Sequence, residues 1–328
     1  VDSVSSILRV KDLKAYYETS SGKVVRAVDG VSFSVLRNEI FGIAGESGCG
    51  KSTLALAITR LLRPPGYIAD GEIFFDNINL LKLKSEELRR IRWRRISYIP
   101  QSSMNALNPV LRIKNQIIDV IKEHEKIKNE EAGRLEGYIK ELLASVGLSP
   151  QVANMFPHEL SGGMRQRAII AMAIALRPEL LIADEPTTAL DVVVQRGILQ
   201  LLSEIRGKYG TSIMLITHDM AVHAEIVDRL AIMYAGKIVE IGDVRSIFKD
   251  PLHPYTQVLI KSIPSVEEKR RLAGIKGLPP DLKSPPPGCR FHPRCPYKSR
   301  LCETAEPPLR EVRAGRYVAC HLYGGISG

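Results

Sequence analysis

Eight consecutive residues, Gly45, Glu46, Ser47, Gly48, Cys49, Gly50, Lys51 and Ser52, follow the spacing of a phosphate-cradling loop. Glycines let a backbone come close to anionic oxygens, and successive N–H groups can then converge as an anion nest. Lys51 offers a point charge to β- and γ-phosphates, the Ser52 hydroxyl is placed to ligate Mg²⁺, and Thr53 can cap an α-phosphate. A helix starting at Lys51 would add its positive N-terminal end to the same anion. Cys49 fills a free position of the loop as a small residue that fits, not as a nucleophile.

A second group complements the first. Leu180, Leu181, Ile182 and Ala183 run directly into Asp184 and Glu185, an apolar segment ending in paired carboxylates. Asp184 suits a Mg²⁺ held through water, and Glu185, one residue further out, suits the orientation or deprotonation of an attacking water. The chemistry these groups could do together is hydrolysis of Mg·ATP, with Lys51 and Glu185 as the residues closest to the reaction.

The elements that must position these groups alternate in type. Ile7–Leu13 and Val24–Val35 alternate as strands, and Asn38–Ile43 forms a short apolar strand ahead of the glycine-rich turn. Ser52–Leu62 has helical periodicity and stops before Pro64 and Pro65, which gives strand, loop, helix. A hairpin-like stretch follows at Gly71–Ile78, then helical patterns at Ser85–Arg95, Asn115–Val146, Ser161–Leu176 and Val193–Tyr209. Leu180–Asp184 and Ser212–Thr217 are continuously apolar, as expected of central strands in a parallel sheet covered on both faces. After an alternating stretch at Leu230–Ile241 the catalytic domain closes near Gly242. Beyond Phe248 prolines recur at 251, 254, 264, 279, 280 and 285–287, which reads as an extended linker. No internal repeat is evident.

Composition bounds the class. The 328 residues exceed one ordinary domain, and 45% hydrophobic and 25% charged residues match a globular chain. No apolar run approaches the roughly 18–20 residues that span a bilayer. With no signal-like start, a soluble or peripheral cytoplasmic protein is expected. The net charge of +10 points to an anionic partner or to solvated faces, with clusters at Lys82–Arg95, Lys261–Lys276 and Arg290–Arg316. No aromatic–basic RNA motif or zinc-finger spacing is present, so nucleic acid is not expected as a partner.

Leu160, Ser161, Gly162, Gly163, Met164, Arg165 and Gln166 resemble the signature motif of ABC-type ATPases and stand just ahead of the carboxylate strand, as in that family. Gln101 in Tyr98–Gln101 resembles the Q-loop, where the family uses it as a further Mg²⁺ ligand. Asp191 after Ala189 and Leu190 resembles the D-loop, and His218 in Ile216–Asp219 the switch histidine. Tyr17 lies where the family stacks an aromatic ring on adenine, with Tyr16 the second candidate. The resemblance covers about residues 7–245. It implies an α/β ATPase domain, a mostly parallel sheet core with an antiparallel β subdomain, with a helical subdomain inserted at about 101–175. It also implies a head-to-tail pair in which ATP is sandwiched between one phosphate loop and the Ser161–Gly163 segment of the other copy.

The stretch Ile247–Thr256, followed by Gly277–Pro280 and by Gly288 and Cys289, resembles the tail of peptide- and nickel-importer ATPases, so residues 246–328 form an extension of that type. This implies a second, non-identical ATPase, two membrane permease subunits and an extracytoplasmic solute-binding protein as partners, at the cytoplasmic face of the membrane. Di- or oligopeptides are the expected cargo, with oligosaccharides or nickel chelates as alternatives. A soluble ABC ATPase acting on nucleic acid or the ribosome is the remote alternative. Cys289, Cys295, Cys302 and Cys320 form a C-x5-C-x6-C-x17-C pattern without paired C-x2-C knuckles. Some importer ATPases carry a [4Fe–4S] cluster in such a tail. Zn²⁺ with help from His292 or His321, and reduced structural cysteines, are the alternatives.

Overall fold

Alternating buried and exposed side chains generate two long strands at the start of the chain, β1 (Ser6–Glu18) and β2 (Val24–Leu36). They pair antiparallel, with Val10 opposite Phe33 and Tyr17 opposite Val25. The turn between them is closed by Thr19, whose amide reaches the Lys23 carbonyl at 2.8 Å. The computed structural model describes residues 5–101, 103–125, 132–263 and 277–324. Two compact units emerge, one drawn from Val1–Leu81 and Leu215–Gly328, the other from Lys82–Met214.

In the first unit, β3 (Ile40–Ala44) is buried at every residue and leads into the glycine-rich turn and α1 (Lys51–Ile58). The hairpin follows as β4 (Gly66–Phe75) and β5 (Ile78–Asn79), turning at Asp76 with φ 51°. These strands form an antiparallel sheet in the order β2-β1-β4-β5.

The second unit begins with α2 (Ser85–Ile91) and β6 (Ile96–Ile99). The helical stretch expected over Asn115–Val146 is two helices, α3 (Ile113–His124) and α4 (Ala132–Ser145), with 126–131 outside the described residues. Then come α5 (Gly162–Ile174), β7 (Leu180–Asp184) and α6 (Val192–Tyr209). Strand β7 runs parallel to β6, pairing Leu180 with Ile96 and Ala183 with Ile99. Its continuous apolar character matches its burial at all positions. The division between the units falls within β8 (Ser212–Ile216).

The first unit resumes with α7 (Met220–Ile226), then β9 (Arg229–Tyr234) and β10 (Lys237–Asp243). Their two-residue connection, Ala235 and Gly236, has φ of 47° and 83°, the positive-φ pair that matches strand twist in tight hairpins. Strand β9 pairs parallel with β3.

The reading of the proline-rich stretch from Pro251 as an extended linker is corrected here over its first part. After α8 (Val244–Lys249), the helix α9 (Pro254–Lys261) occupies the start of this stretch. Pro254 stands in the first turn of α9, where its fixed φ suits a helix and its missing N–H costs nothing. The His253 ring caps that turn by accepting from the Tyr255 amide at 3.0 Å. Leu252, Tyr255 and Thr256 are fully buried. Further on, α10 (Arg300–Thr304) precedes β11 (Arg310–Arg313) and β12 (Arg316–Val318), and β12 extends the β10 edge.

The charge clusters separate by environment. In α2, Arg89 pairs with Glu86 and Glu123 at the surface. Arg290 and Arg316, by contrast, are buried counter-charges of Asp29 and Glu240. The Lys261–Lys276 cluster lies, from 264 on, outside the described residues.

Candidate functional site

The phosphate loop of the first unit is shaped by positive φ at Gly45 (154°), Gly48 (77°) and Gly50 (108°). Two of these glycines are also enforced by space. A Cβ on Gly45 would lie 2.1 Å from the Met233 carbonyl oxygen, and one on Gly50 would lie 2.0 Å from that of Ala27. Gly50 then caps α1 in a left-handed conformation, and the first turn of that helix holds no acidic residue. The orphan N–H groups of α1 and its positive end therefore open on the loop.

Lys51 curls back across the loop and donates to the carbonyls of Gly45 at 2.7 Å and Glu46 at 3.0 Å. Ser52 and Thr53 are half-buried in the same turn, and the Thr53 hydroxyl lies 3.3 Å from that of Tyr17. Tyr17 is thus brought to the loop, whereas Tyr16 is turned to Asp29, to which it donates at 2.6 Å. Burial pushes the Cys49 thiol above its ordinary pKa, which suits a packing residue rather than a thiolate. Ser47 and Gly48 form the crest of the loop. His218 follows β8 and is exposed.

Glu46 behaves differently from the rest of the loop. Its amide donates to the Tyr255 hydroxyl at 2.9 Å, and its carboxylate takes both terminal nitrogens of Arg294, at 2.9 and 3.1 Å. No local pattern announces these partners, because Arg294 is 248 positions away in sequence.

The second unit carries the other predicted residues. Asp184, at the end of β7, is fully buried and accepts from the Tyr98 hydroxyl at 3.3 Å. Glu185 leaves the strand with φ 51° and takes the Thr188 hydroxyl at 3.0 Å. A non-glycine residue held at positive φ is a costly conformation that tertiary structure must impose. Gln101 is exposed just after β6. Ser161 caps α5 by accepting from the Met164 amide at 3.3 Å, and Asp191 caps α6 by accepting from that of Val194 at 2.9 Å. A Cβ at Gly163 would sit 2.6 Å from the Val194 side chain, so the signature segment and the Asp191 turn pack against one another. Gly162 and Gly163 open α5, the first exposed and the second half-buried.

In the tail, the Cys289 amide donates to the Cys302 carbonyl at 2.8 Å. Burial, and then the other three thiols, push Cys289 up to about 11. Burial, then Cys295 and Cys302 among nearby charges, does the same to Cys320, also to about 11. The expectation of a ready-made metal site is nevertheless not met: among the described residues, no group of three or more His, Cys, Asp or Glu side chains is arranged to hold a metal ion. Each candidate histidine has one ring nitrogen on a backbone carbonyl, His292 on Cys289 and His321 on Ala305. Among the described residues no helix is long and apolar enough to cross a membrane.

A family model described as ABC transporter matches residues 28–188, and one described as oligopeptide/dipeptide transporter, C-terminal region, matches 239–302. The chain is 42% identical to the dipeptide transport ATP-binding protein DppD of Caldanaerobacter subterraneus subsp. tengcongensis, over 98% of each chain. It is 45% identical to the oligopeptide transport ATP-binding protein OppD of Bacillus subtilis, over 97% of this chain and 89% of that one. Among solved structures, a dimeric bacterial ABC transporter cassette superposes with a TM-score of 0.64 at 29% identity, covering 73% of this chain and 99% of that chain. A post-hydrolysis dimer of such a cassette, bound to ADP and phosphate, superposes with a TM-score of 0.63 at 30% identity, covering 73% and 99%.

Proposed function

The chain belongs to the ATP-binding proteins of ABC transporters, and from that premise we propose that it powers uptake of di- or oligopeptides through an importer. It is an ATPase with the ABC cassette fold. The observation that carries the reading is the glycine-shaped loop at the head of α1, with Lys51 folded across it, in a chain alike to peptide transport ATP-binding proteins from end to end.

The residue roles follow the chemistry of phosphoryl transfer, which is mostly positioning and charge stabilisation. Lys51 and the loop amides receive the phosphates, and Tyr17 stacks on adenine. Ser52, Gln101 and Asp184 would hold Mg²⁺, which neutralises charge on the phosphates. Burial and the Tyr98 hydroxyl orient Asp184 as an acceptor suited to that task. Glu185 handles the attacking water, and His218 supports the γ-phosphate. Ser161–Gly163 and Asp191 serve the ATP of a second ATPase subunit, which is non-identical. Two membrane permeases and an extracytoplasmic solute-binding protein complete the importer, with this chain peripheral at the cytoplasmic face. The functional boundary falls near residue 245, ahead of the importer-type extension.

Uptake of labelled peptides into vesicles containing the permeases, the receptor and both ATPases should stop with Lys51→Ala, together with ATP hydrolysis at this site. Peptide uptake that continues undiminished with Lys51→Ala would remove the reading. Uptake of nickel chelates or oligosaccharides in place of peptides would move it to the alternatives.

For the tail, we propose a [4Fe–4S] cluster on Cys289, Cys295, Cys302 and Cys320, supported by four soft donors in one short extension and by the Cys289 amide bonded to the Cys302 carbonyl at 2.8 Å. Such a centre would fold a segment poor in apolar core rather than perform redox chemistry. Protein prepared without oxygen should absorb near ~400 nm, and Cys302→Ser should abolish the band. Colourless protein with stoichiometric zinc would decide for the other metal.

A further inference from the structure

A carboxylate within an anion-binding loop is an electrostatic liability, because it repels the phosphates the loop must receive. Glu46 is such a group. Its charge is met by Arg294, which lies in the importer-type extension and pairs with it in bidentate geometry at 2.9 and 3.1 Å. The Arg294 side chain is 5% exposed, so the pair is poorly screened. The same guanidinium donates to the Tyr234 hydroxyl and lies over that ring, 5.8 Å from its centroid.

Tyr255, also from the extension, accepts the Glu46 amide, and its ring is wedged against Tyr234 and Phe291 with centroids 4.6 and 5.5 Å away. The far limb of the loop is supported from the same place. The Gly236 amide donates to the Cys49 carbonyl at 2.9 Å, and the adjoining Ala235 carbonyl accepts from Arg290, which also pairs with Asp29. Both limbs therefore lead back to the segment between Cys289 and Cys295.

We propose that Arg294 and Tyr255 are positioning residues of the ATP site: Arg294 neutralises and orients Glu46 so that the loop accepts a triphosphate, and Tyr255 fixes the Glu46 amide. The cysteine-rich extension is then part of the nucleotide site rather than an appendage for partners alone. This inference rests on the ATPase reading of the loop.

A plain tether and a charge neutraliser make opposite predictions. If Arg294 only ties the extension down, removing Glu46 is as harmful as removing Arg294. If Arg294 neutralises Glu46, removing the carboxylate repairs the loss of the arginine. Titration of the intact chain with Mg·ATP and with ADP, beside thermal unfolding of each variant, separates the two. Arg294→Ala is expected to weaken Mg·ATP binding on the order of ten- to thirtyfold, and ADP binding less, as fits one uncompensated charge near the phosphates. Arg294→Lys should recover most of the loss. Glu46→Gln in the Arg294→Ala background should restore affinity to within a few-fold of wild type. Glu46→Gln alone should tighten Mg·ATP severalfold, because an unopposed guanidinium then faces the nucleotide. Tyr255→Phe should weaken it severalfold without changing the preference for ATP over ADP.

Wild-type affinity of Arg294→Ala, with binding lost in Lys51→Ala, would overturn the proposal while leaving the ATP site intact. Failure of Glu46→Gln to repair the Arg294→Ala defect would overturn it too, in favour of the tether. Should Arg294→Ala not fold, weaker binding by Glu46→Gln alone would be sufficient to refute it. Undiminished binding by Lys51→Ala would refute the ATPase reading itself, a separate result.

Discussion

Glu185→Gln in the assembled importer is expected to bind Mg·ATP as wild type does and to hydrolyse it at this site roughly 10²- to 10⁴-fold more slowly, the range that general-base catalysis supplies. The structure makes this a clean substitution. Glu185 is 8% exposed and held at φ 51° where β7 ends, and one oxygen takes the Thr188 hydroxyl at 3.0 Å. Glutamine keeps the length and that acceptor, so the strained backbone and its contact persist. What it loses is the capacity to take a proton from water. Because binding survives and turnover does not, the variant should accumulate a closed, ATP-bound pair with its partner ATPase, seen with the ATPase subunits alone as a larger species in gel filtration with Mg·ATP. Single-turnover hydrolysis at the wild-type rate would show that another group activates the water. Loss of ATP affinity would show that Glu185 is a binding residue and not a base.

The phosphate loop was legible in the sequence because its chemistry is contiguous. Gly45 to Ser52 carry their own φ requirements and donors, and the flanking apolar strand and periodic helix announce where they sit. The carboxylate pair was legible for the same reason, since the apolar run Leu180–Ala183 leads directly into Asp184 and Glu185 at the end of a buried strand. The hairpin at Ala235 and Gly236, by contrast, shows in the sequence only as alternation, because its positive φ at Ala235 is imposed by strand twist and not by residue type. The proline-rich stretch misled because proline at a first helical turn and proline in a linker have the same letter. Only the burial of Leu252, Tyr255 and Thr256 distinguishes them. The basic stretch Arg290–Arg316 was the largest gap. Net charge does not reveal whether an arginine faces water or a buried carboxylate, and the partners Asp29, Glu46 and Glu240 lie 261, 248 and 76 positions away.

The last of those pairs carries the largest expected effect on stability. Glu240 is fully buried in β10, and Arg316 of β12 lies across it at 2.7 Å with its side chain 7% exposed. Gly242 makes this possible, since a Cβ there would come 2.3 Å from the Arg316 Cδ. Arg316 also donates to the Asp250 carbonyl at 2.9 Å, and the Glu240 oxygens accept the amides of Leu252 and His253 at 3.0 and 2.9 Å. One carboxylate thus joins a sheet edge, the arginine strand and the entry to α9. Removing one partner of a buried pair leaves the other charge unmet, at about 3–5 kcal/mol, so Arg316→Ala should lower the denaturation midpoint clearly. Glu240→Ala should be worse, because it also orphans two buried amides at about 1–3 kcal/mol each. Arg316→Met with Glu240→Gln should recover part of the loss, since neutral groups of similar size keep the packing and one of the two acceptors of the Leu252 and His253 amides. An unchanged midpoint for Arg316→Ala would mean water reaches Glu240. Glu240 also fixes the entry to α9, the helix that carries Tyr255 to the Glu46 amide, so Arg316→Ala should lose Mg·ATP affinity alongside its stability. Limited proteolysis should cut such a protein within the extension before the cassette, and bound nucleotide should slow that cut.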